Sequence, residues 1–359
     1  MKIGFLAPSN LMAGGGFEHW LYEVTSRISS RNSVSIFVFN RGPRQWNVEG
    51  KFRDVAVIEA TLNRKVFFPR TFENNQLNSL FKDSDLIYTI DFTAPGMIGT
   101  LDLMRFRTGT PVILGHHTPF NWYTNQPSLR GSVVTVMGNR LTAHHALNED
   151  MKKMIINRGG KNVYKIPYGV NTSSFKPQKK FKKFSILFVG RLVKGKGVEL
   201  LPRIISELTM KNLDFDLYIA GDGPLANIVQ PLASDRRIKW LGYVDEERKE
   251  LYSSCHVLIA PSQAETFLLT GLEAMSSGTP VVTFDIAGPR EYVIDEYNGY
   301  LTHGLQEFIS RIIFIHDLWS KNNDHYHIFS KNARRTAEKF DWQMVVPEIE
   351  RMFSDVKRL

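Results

Sequence analysis

Residues 261–282 read PSQAETFLLTGLEAMSSGTPVV. They follow a short apolar run, Val257–Ala260, and lead into a second one, Pro280–Phe284, with a helical pattern in between. Short apolar runs with little polar alternation that are joined by a helix are typical of parallel strands buried on both faces. The stretch therefore predicts strand, loop, helix, turn and strand, the repeating unit of an α/β domain.

Runs of the same kind occur in both halves of the chain. The other predicted strands are Lys2–Ala7, Val34–Phe39, Leu86–Ile90, Pro111–Gly115, Ser185–Gly190, Phe215–Ala220 and Ile238–Leu241, and the predicted helices between strands include Phe17–Ser29, Gly197–Met210 and Glu247–Ser253. Each half thus predicts its own doubly wound sheet covered by helices on both faces. The break between the halves falls near Ile166–Phe184.

Length, charge and cysteine content limit the class of protein. A chain of 359 residues fits two domains, and its formal net charge of +9 favours phosphates, nucleic acid or an anionic membrane surface as partners. Cys255 is the single cysteine, which excludes an intrachain disulfide and a cysteine zinc cluster and favours a reducing, cytoplasmic compartment. The apolar start is too short for a signal peptide, and no run approaches the roughly 20 residues that span a bilayer. A soluble protein is expected, or one that lies on a membrane.

Two glutamates stand out in the opening stretch. Glu265 falls in the predicted loop and Glu273 on the predicted helix, and eight residues are too many for one helical turn. Separate carboxylates suit one extended polyhydroxylated ligand, since each can accept hydrogen bonds from different hydroxyls.

Two further segments follow predicted strands and suit an anion. Gly14-Gly15-Gly16 opens the first helix, where glycines let backbone N–H groups approach a phosphate. The stretch from Gly190 to Gly197, GRLVKGKG, lacks the P-loop spacing but puts Arg191 and Lys196 at the carboxyl edge of a strand. Open α/β sheets bind ligands at that edge.

These segments, taken together, resemble the family 4 glycosyltransferases, which are retaining enzymes of the GT-B fold. The hallmark of that family is E-x7-E in a P-S-x-x-E-x-F…E-A-M-x-x-G-x-P-V-V frame. The supporting elements are Pro167-Tyr-Gly-Val-Asn171…Phe175, Gly190-Arg191…Lys196-Gly197, Gly221-Asp-Gly-Pro224, Leu241-Gly-Tyr-Val244, Gly288…Glu291…Asn298-Gly299 and Phe340-Asp-Trp342. The resemblance is specific from Tyr164 to Tyr300 and weak in the first half.

The resemblance implies an architecture. Two doubly wound Rossmann-like domains would face a cleft, with residues 1–165 plus 341–359 holding the acceptor and residues 166–340 holding the nucleotide sugar. The last helix would cross back onto the first domain. The expected reaction moves a sugar from a nucleoside diphosphate sugar to an acceptor hydroxyl, of a glycan or a lipid-linked molecule, in polysaccharide or glycolipid biosynthesis. A location in the cytoplasm, or peripherally on the inner face of the membrane, follows.

The resemblance also implies a role for each matching residue. Glu273 would bind the ribose, Glu265 the transferred sugar, and Arg191 and Lys196 the diphosphate, with His117 facing the sugar and His116 the weaker candidate. The remaining donor-site residues are Gly15 and Gly16 at the diphosphate, Gly242, Tyr243 and Val244 at the base, and Phe267, Leu268 and Leu269 in the loop after Glu265. Because two cations stand at the diphosphate, neither a metal nor a cofactor is expected.

The chain departs from the family pattern at two places. The usual E-G-F-G becomes Glu265-Thr266-Phe267-Leu268, so side chains are expected where backbone N–H groups approach the sugar, and the donor sugar could be an unusual one. Asn171 replaces the customary aspartate and removes a charge.

Four other motifs carry competing hypotheses. Asp83-Ser-Asp85 and Asp214-Phe-Asp216 spell the D-x-D of metal-dependent glycosyltransferases, but both stand at strand entries. Residues 221–226, GDGPLA, fit G-x-G-x-x-A and would suit a dinucleotide-dependent oxidoreductase. The basic run Lys179–Lys183 would suit a non-catalytic nucleic-acid or polyanion binder, and Arg64–Arg70 contact with an anionic membrane.

Overall fold

The computed structural model describes residues 1–7, 15–40, 55–61, 75–90, 95–118 and 135–359. The chain divides into two units. The first consists of Met1–Tyr168 with Trp342–Leu359, and the second is Gly169–Asp341. The sequence placed these divisions at residues 165/166 and 340/341.

The first unit contains a parallel sheet of seven strands. They are β1 (Lys2–Ala7), β2 (Ser33–Asn40), β3 (Ala56–Thr61), β4 (Leu86–Ile90), β5 (Val112–His116), β6 (Ala143–Ala146) and β7 (Val163–Lys165). Their order is β3-β2-β1-β4-β5-β6-β7, with every neighbouring pair parallel. The chain order reverses between β1 and β4, which is where open α/β sheets bind ligands.

Helices connect these strands. The described ones are α1 (Gly16–Ile28), α2 (Asn75–Asp83), α3 (Pro95–Thr108) and α4 (Glu149–Asn157). Three of the strands, β3, β6 and β7, were missed by the sequence patterns. In β6 the reason is its composition, Ala-His-His-Ala, because histidine is not counted as apolar although all four residues are buried.

The second unit contains a parallel sheet of six strands. They are β8 (Ser185–Val189), β9 (Asp216–Ala220), β10 (Ile238–Gly242), β11 (Val257–Ala260), β12 (Val281–Phe284) and β13 (Gly299–Thr302). Their order is β10-β9-β8-β11-β12-β13, again parallel throughout. The switch point of this sheet lies between β8 and β11.

The helices of the second unit cover both faces of its sheet. They are α5 (Leu201–Met210), α6 (Ala226–Val229), α7 (Arg248–Ser254), α8 (Leu269–Ser276), α9 (Leu305–Lys321) and α10 (Asn323–Glu338). The predicted helix Gly197–Met210 was four residues too long at its start. Two 3-10 turns, Lys194–Lys196 and Val198–Leu200, precede α5, and Gly197 between them has a φ of +71°. Pro202 stands in the first turn of α5. Its missing N–H is tolerated there, because the N–H groups of the first turn have no partner within the helix.

The final helix, α11 (Trp342–Lys357), belongs to the first unit although it follows the second in sequence. Its buried residues include Trp342, Ile349 and Phe353, and the ring of Phe353 meets that of Phe5 on β1. The predicted fold class, two doubly wound Rossmann-like domains with the last helix returning to the first, is confirmed. Among the described residues, no helix is both long enough and apolar enough to cross a membrane.

Candidate functional site

The two loops at the switch point of the second sheet carry five of the predicted donor residues, Phe267 and Leu268 among them. Gly190–Gly197 follows β8 and holds Arg191 and Lys196, while Pro261–Leu268 follows β11 and holds Glu265. Because β8 and β11 are parallel neighbours, their carboxyl ends meet at one edge of the sheet. The fold thus brings these two loops together.

The two loops pack closely against each other at Gly197. A Cβ at Gly197 would overlap the carbonyl oxygen of Pro261, and the N–H of Gln263 donates to the carbonyl of Gly195 at 3.1 Å. The positive φ of Gly197 also disfavours any other residue there. The close approach of the loops therefore depends on this glycine.

Lys196 and Glu265 form an ion pair across the loops. The distance from Lys196 Nζ to Glu265 Oε1 is 2.6 Å, and the side chains are 33% and 10% exposed. The residue predicted to bind the diphosphate thus touches the residue predicted to bind the sugar. Arg191, on the same loop as Lys196, is exposed to solvent.

Glu273 lies on α8 and is almost fully buried. The hydroxyl of Tyr252 donates to its Oε2 at 2.8 Å, and Arg248 reaches its Oε1 at 3.6 Å. The carboxylate of Glu273 is the main cause of a raised pKa of Arg248, whereas burial chiefly raises the pKa of Tyr252. Sequence reasoning missed both partners. Their i, i+4 spacing on α7, which puts them on one helix face, could have indicated them.

The buried Tyr292 supports the end of the Glu265 loop. Burial is the main cause that raises the pKa of Tyr292 well above its usual range, and the charges of Glu265 and Glu273 raise it further. That hydroxyl donates to the carbonyl of Leu268 at 2.7 Å. A Cβ at Gly271 would overlap the Tyr292 hydroxyl, so this position on α8 leaves room for the bond.

Leu268 has a left-handed backbone, which glycine adopts most readily. Its φ of +60° and ψ of +64° are left-handed, a conformation that costs a residue with a side chain roughly 1–2 kcal/mol. Its side chain is buried and lies against Gly271, where a Cβ would be 3.1 Å from Leu268 Cδ2. Thr266 and Phe267 are buried as well. The side chains of Thr266, Phe267 and Leu268 are therefore turned into the unit. At the other departure from the family pattern, Asn171 caps a turn by accepting from the N–H of Ser174 at 3.0 Å.

The residues predicted to border the base lie at the end of β10 and directly after it. Gly242 has a φ of +66°, and its carbonyl accepts from the N–H of Gly221 at 2.7 Å, which ties this loop to the end of β9. Tyr243 is 72% exposed and Val244 is partly exposed. Leu269 begins α8 directly after the Glu265 loop.

The glycines of the dinucleotide-like motif have a packing role. A Cβ at Gly221 would overlap the carbonyl of Gly190, and one at Gly223 would lie 2.7 Å from the carbonyl oxygen of Leu192. These glycines let the end of β9 approach the loop after β8. Their spacing is explained without a dinucleotide.

In the first unit, Gly15 and Gly16 stand at the start of α1. Gly15 is the N-cap residue, and a Cβ at the exposed Gly16 would lie 3.1 Å from the ring of Tyr168. Gly14 lies outside the described residues. The glycines are placed at the switch point of the first sheet, beyond the end of β1.

His117 follows β5 and is buried. Its Nε2 lies 2.7 Å from the hydroxyl of Tyr88, and its Nδ1 lies 2.8 Å from the hydroxyl of Tyr168. Burial, and then the neighbouring His145 and His116, hold the pKa of His117 well below its usual value. His116 itself contacts His144 at 3.0 Å. No sequence pattern indicated that tyrosines would contact both ring nitrogens of His117.

The acidic motifs of the competing hypotheses make local contacts. Asp85 pairs with Lys357 at 3.1 Å and Asp83 accepts from Ser79, while Asp214 and Asp216 both pair with Lys183 at 2.8 and 3.0 Å. Within the described ranges, no three histidine, cysteine, aspartate or glutamate side chains are grouped as metal ligands.

Two lysines of the basic run Lys179–Lys183 contact other residues of the second unit. Besides the ion pairs of Lys183, Lys180 Nζ donates to the carbonyl of Cys255 at 2.7 Å and to Thr279 Oγ1 at 2.5 Å. Burial lowers the pKa of Lys180 to about 7. These contacts disfavour a polyanion-binding run. Arg64–Arg70, the candidate membrane segment, lies outside the described residues.

The sequence is similar to those of known glycosyltransferases. Residues 183–317 match the family model described as Glycosyl transferases group 1. An uncharacterised glycosyltransferase of Methanocaldococcus jannaschii is 37% identical over 119 residues, 32% of this chain and 30% of that protein. One of Haemophilus influenzae is 24% identical over 364 residues, 97% of this chain and 98% of that protein. A second M. jannaschii relative is matched over 48% of its length, so the chain spans less than half of each of these two relatives.

Solved structures extend the likeness of fold to the whole chain. The crystal structure of Anabaena HepE in complex with UDP and glucose has a TM-score of 0.80 at 20% identity, covering 99% of this chain and 100% of the other. A sucrose-phosphate synthase from Thermosynechococcus elongatus has a TM-score of 0.81 at 19% identity, covering 99% of this chain and 98% of the other. These structures show that the chain has the GT-B fold.

Proposed function

We propose that the chain is a retaining glycosyltransferase of family 4 that transfers a sugar from a nucleoside diphosphate sugar to an acceptor hydroxyl. The observation that carries this proposal is the contact between Lys196 and Glu265 at the switch point of the second sheet. A cation for the diphosphate and a carboxylate for the sugar are the two groups that such a donor needs side by side.

The ion pair describes the ligand-free site. When a donor binds, its diphosphate competes with Glu265 for the ammonium of Lys196, which is 33% exposed and can turn. Glu265 then has an oxygen free to accept hydrogen bonds from the sugar hydroxyls. Diphosphate binding and sugar recognition are thereby coupled through Lys196.

Arg191 and Lys196 act on the leaving group. As the bond from the anomeric carbon to the phosphate oxygen breaks, negative charge grows on the diphosphate, and the two cations stabilise it. With both cations on one loop beside the sugar carboxylate, we propose that the reaction needs no metal and no cofactor.

The ribose is assigned to Glu273. Tyr252 and Arg248 hold its carboxylate in one orientation, and the nearby guanidinium favours the charged form that accepts hydrogen bonds from two hydroxyls. Gly242, Tyr243 and Val244 would border the base, mainly through backbone contacts.

Retention follows from attack on the face that the diphosphate leaves. The acceptor oxygen forms a bond to the anomeric carbon, the bond to the phosphate oxygen breaks, and that phosphate oxygen takes the acceptor proton. The absence of a double displacement is testable, because a covalent glycosyl adduct on the chain, found by mass spectrometry after incubation with the donor, would contradict it.

The acceptor is assigned to the first unit, which holds most of the excess charge. It has 23 Lys and Arg residues against 15 Asp and Glu, whereas the second unit has 22 against 21. Positive charge favours an anionic acceptor or an acceptor carried by an anionic membrane. A glycan or lipid-linked acceptor at the cytoplasmic face is consistent with this asymmetry.

Nucleotide titration tests the proposal. Calorimetry with UDP, GDP and ADP in the presence of a chelator should detect binding of at least one nucleotide by the wild-type chain. Glu273→Ala should then lower that affinity by roughly 10- to 100-fold, because charge-assisted bonds to ribose are lost. Circular dichroism would verify that the variant is folded. If none of the nucleotides binds the wild-type chain, the proposed function is wrong.

A further inference from the structure

Five groups in the first unit form one buried hydrogen-bonded chain. The hydroxyl of Tyr168 lies 2.8 Å from His117 Nδ1, and His117 Nε2 lies 2.7 Å from the hydroxyl of Tyr88. The same hydroxyl lies 2.6 Å from His145 Nδ1, and His145 Nε2 lies 2.8 Å from the carbonyl oxygen of Ile166. All four side chains are buried.

The direction of each hydrogen bond in this chain follows from its last member. A carbonyl oxygen can only accept, so His145 carries its proton on Nε2, and its Nδ1 in the neutral ring accepts from Tyr88. The single hydroxyl proton of Tyr88 is donated to His145, so His117 Nε2 must donate to the Tyr88 oxygen. His117 Nδ1 is then an acceptor, and the hydroxyl of Tyr168 donates to it.

Both rings are held neutral by their surroundings. Burial is the main cause that lowers the pKa of His145, to about 4, and that of His117. The rings of Trp20 and Phe17 enclose His117 at centroid distances of 4.9 and 5.0 Å. A charged imidazole in such an apolar enclosure would be costly.

The backbone also makes room for the chain of hydrogen bonds. A Cβ at Gly115 on β5 would overlap the hydroxyl of Tyr88 and lie 2.8 Å from His117 Nε2. Any other residue at position 115 would occupy the place where Tyr88 and His117 meet. The glycine therefore belongs to the same arrangement.

We propose that Tyr88 and His145 are positioning residues that fix His117 in one neutral tautomer, and that the Tyr168 hydroxyl occupies the acceptor nitrogen that a sugar hydroxyl takes over in the complex. This inference rests on the proposed function and deepens it. Tyr168 lies against Gly16 at the start of α1, one of the two glycines assigned to the diphosphate. One hydroxyl donor replaces another at Nδ1, which conserves the hydrogen bond.

The positioning part is tested without any ligand. In a chain with ¹⁵N-labelled histidine, NMR should show His117 and His145 as neutral rings protonated at Nε2, assigned by single histidine-to-glutamine variants. Tyr88→Phe removes the hydroxyl between the rings and should shift the His117 signals towards a tautomer mixture, whereas His145 should stay protonated at Nε2 because it still donates to the carbonyl of Ile166. Protonation of either ring at Nδ1 in the wild-type chain would overturn the proposed direction.

The exchange at Nδ1 is tested with Tyr168→Phe, which leaves that nitrogen free. We expect the KM for the nucleotide sugar to fall by roughly 2- to 10-fold, because no internal hydrogen bond must be replaced, while affinity for the bare nucleotide stays unchanged. Tyr88→Phe should instead lower kcat. Tyr164→Phe, at a partly exposed tyrosine outside the chain of hydrogen bonds, is the matched control.

The outcomes separate this inference from the proposed function. If Tyr168→Phe behaves like Tyr164→Phe although nucleotide sugar binds, the exchange at Nδ1 is refuted and the proposed function stands. If the wild-type chain binds no nucleotide sugar, both the function and the exchange fail, and the NMR result alone decides the positioning roles.

Discussion

At the scale of single residues, the site depends on side chains that support its charged groups. Tyr292 donates to the carbonyl of Leu268 and so holds a left-handed residue at the end of the Glu265 loop. Gly271 leaves the space that the tyrosine hydroxyl fills. A conformation that is costly in isolation persists where its neighbours determine it, and this loop is such a place.

Tyr292 and Gly271 should therefore show coupled effects on stability. Tyr292→Phe should lower the free energy of unfolding by about 1 kcal/mol, the net value of a typical hydrogen bond. Gly271→Ala should cost more, because its methyl group displaces the hydroxyl, and should cost less in the Tyr292→Phe background. Urea unfolding of the four chains measures the coupling. Additive effects would contradict the account.

Site residues that belong to a local motif could be predicted from the sequence, whereas residues that act through long-range contacts could not. Glu265, Glu273 and Lys196 stand in a distinctive frame, and the structure brings Lys196 and Glu265 into contact. Tyr252 and Tyr88 reach their partners across 21 and 29 residues of chain. No local pattern records such a contact, so these supporting residues could not be predicted.

At the scale of elements, the candidate site depends on two loops that one glycine brings together. Gly197 has a positive φ and faces the carbonyl of Pro261, whereas nothing lies within 4 Å of a Cβ at Gly195 on the same turn. These two glycines of the KGKG stretch thus have different roles, although the sequence alone presents them as equivalent.

Substitution of the two glycines should give opposite results. Gly197→Ala forces the loop away from Pro261, so we expect nucleotide affinity to fall at least 10-fold, together with a loss of stability of roughly 1–3 kcal/mol. Gly195→Ala should leave both within error. Calorimetry and urea unfolding check the pair, and equal behaviour of the two variants would show that loop packing does not matter.

Elements were predictable where their residues are apolar. The strands β1, β4 and β11 were predicted with their observed bounds, since apolar residues predominate in each. The strand β6 was not, because its two histidines are buried only through tertiary hydrogen bonds. The early start assigned to α5 has another cause, since a helical pattern does not distinguish a 3-10 turn from an α-helix.

At the scale of the whole molecule, buried histidines tie stability to pH. Burial lowers the pKa of His145 to about 4 and those of His144 and His256 to about 3. In the unfolded chain these groups titrate near 6.5. Between that value and the folded pKa, the unfolded state binds more protons, so stability must fall as pH falls.

The pH dependence should differ between the two units. His144 and His145 lie in the first unit and His256 in the second, so acid should destabilise the first unit more. Each histidine contributes up to roughly 1.4 kcal/mol per pH unit below about pH 6.5. Urea unfolding at several pH values from 7.5 to 4.5 measures the slope. A flat stability from pH 6.5 to 4.5 would contradict the neutral, buried state of these rings.

The likeness to known proteins is also uneven over the molecule. The family model covers residues 183–317, within the second unit, whereas similarity of fold extends over 99% of the chain. The segments that carry the resemblance to a family lie mainly in the second unit, while the sheet of the first unit needs only apolar strands in the right order. The first unit could therefore be predicted as a fold but not as a site.

In the proposed site, Lys196 leaves Glu265 for the diphosphate of the donor. This exchange is tested by calorimetry with the nucleoside diphosphate that the wild-type chain binds best. It is titrated into the wild-type chain, Glu265→Gln, Lys196→Met and the double variant. Glu265→Gln should tighten binding by roughly 2- to 5-fold, because no ion pair must be broken, and this gain should vanish when Lys196 is absent. A gain that persists without Lys196, or weaker binding by Glu265→Gln, would contradict the exchange.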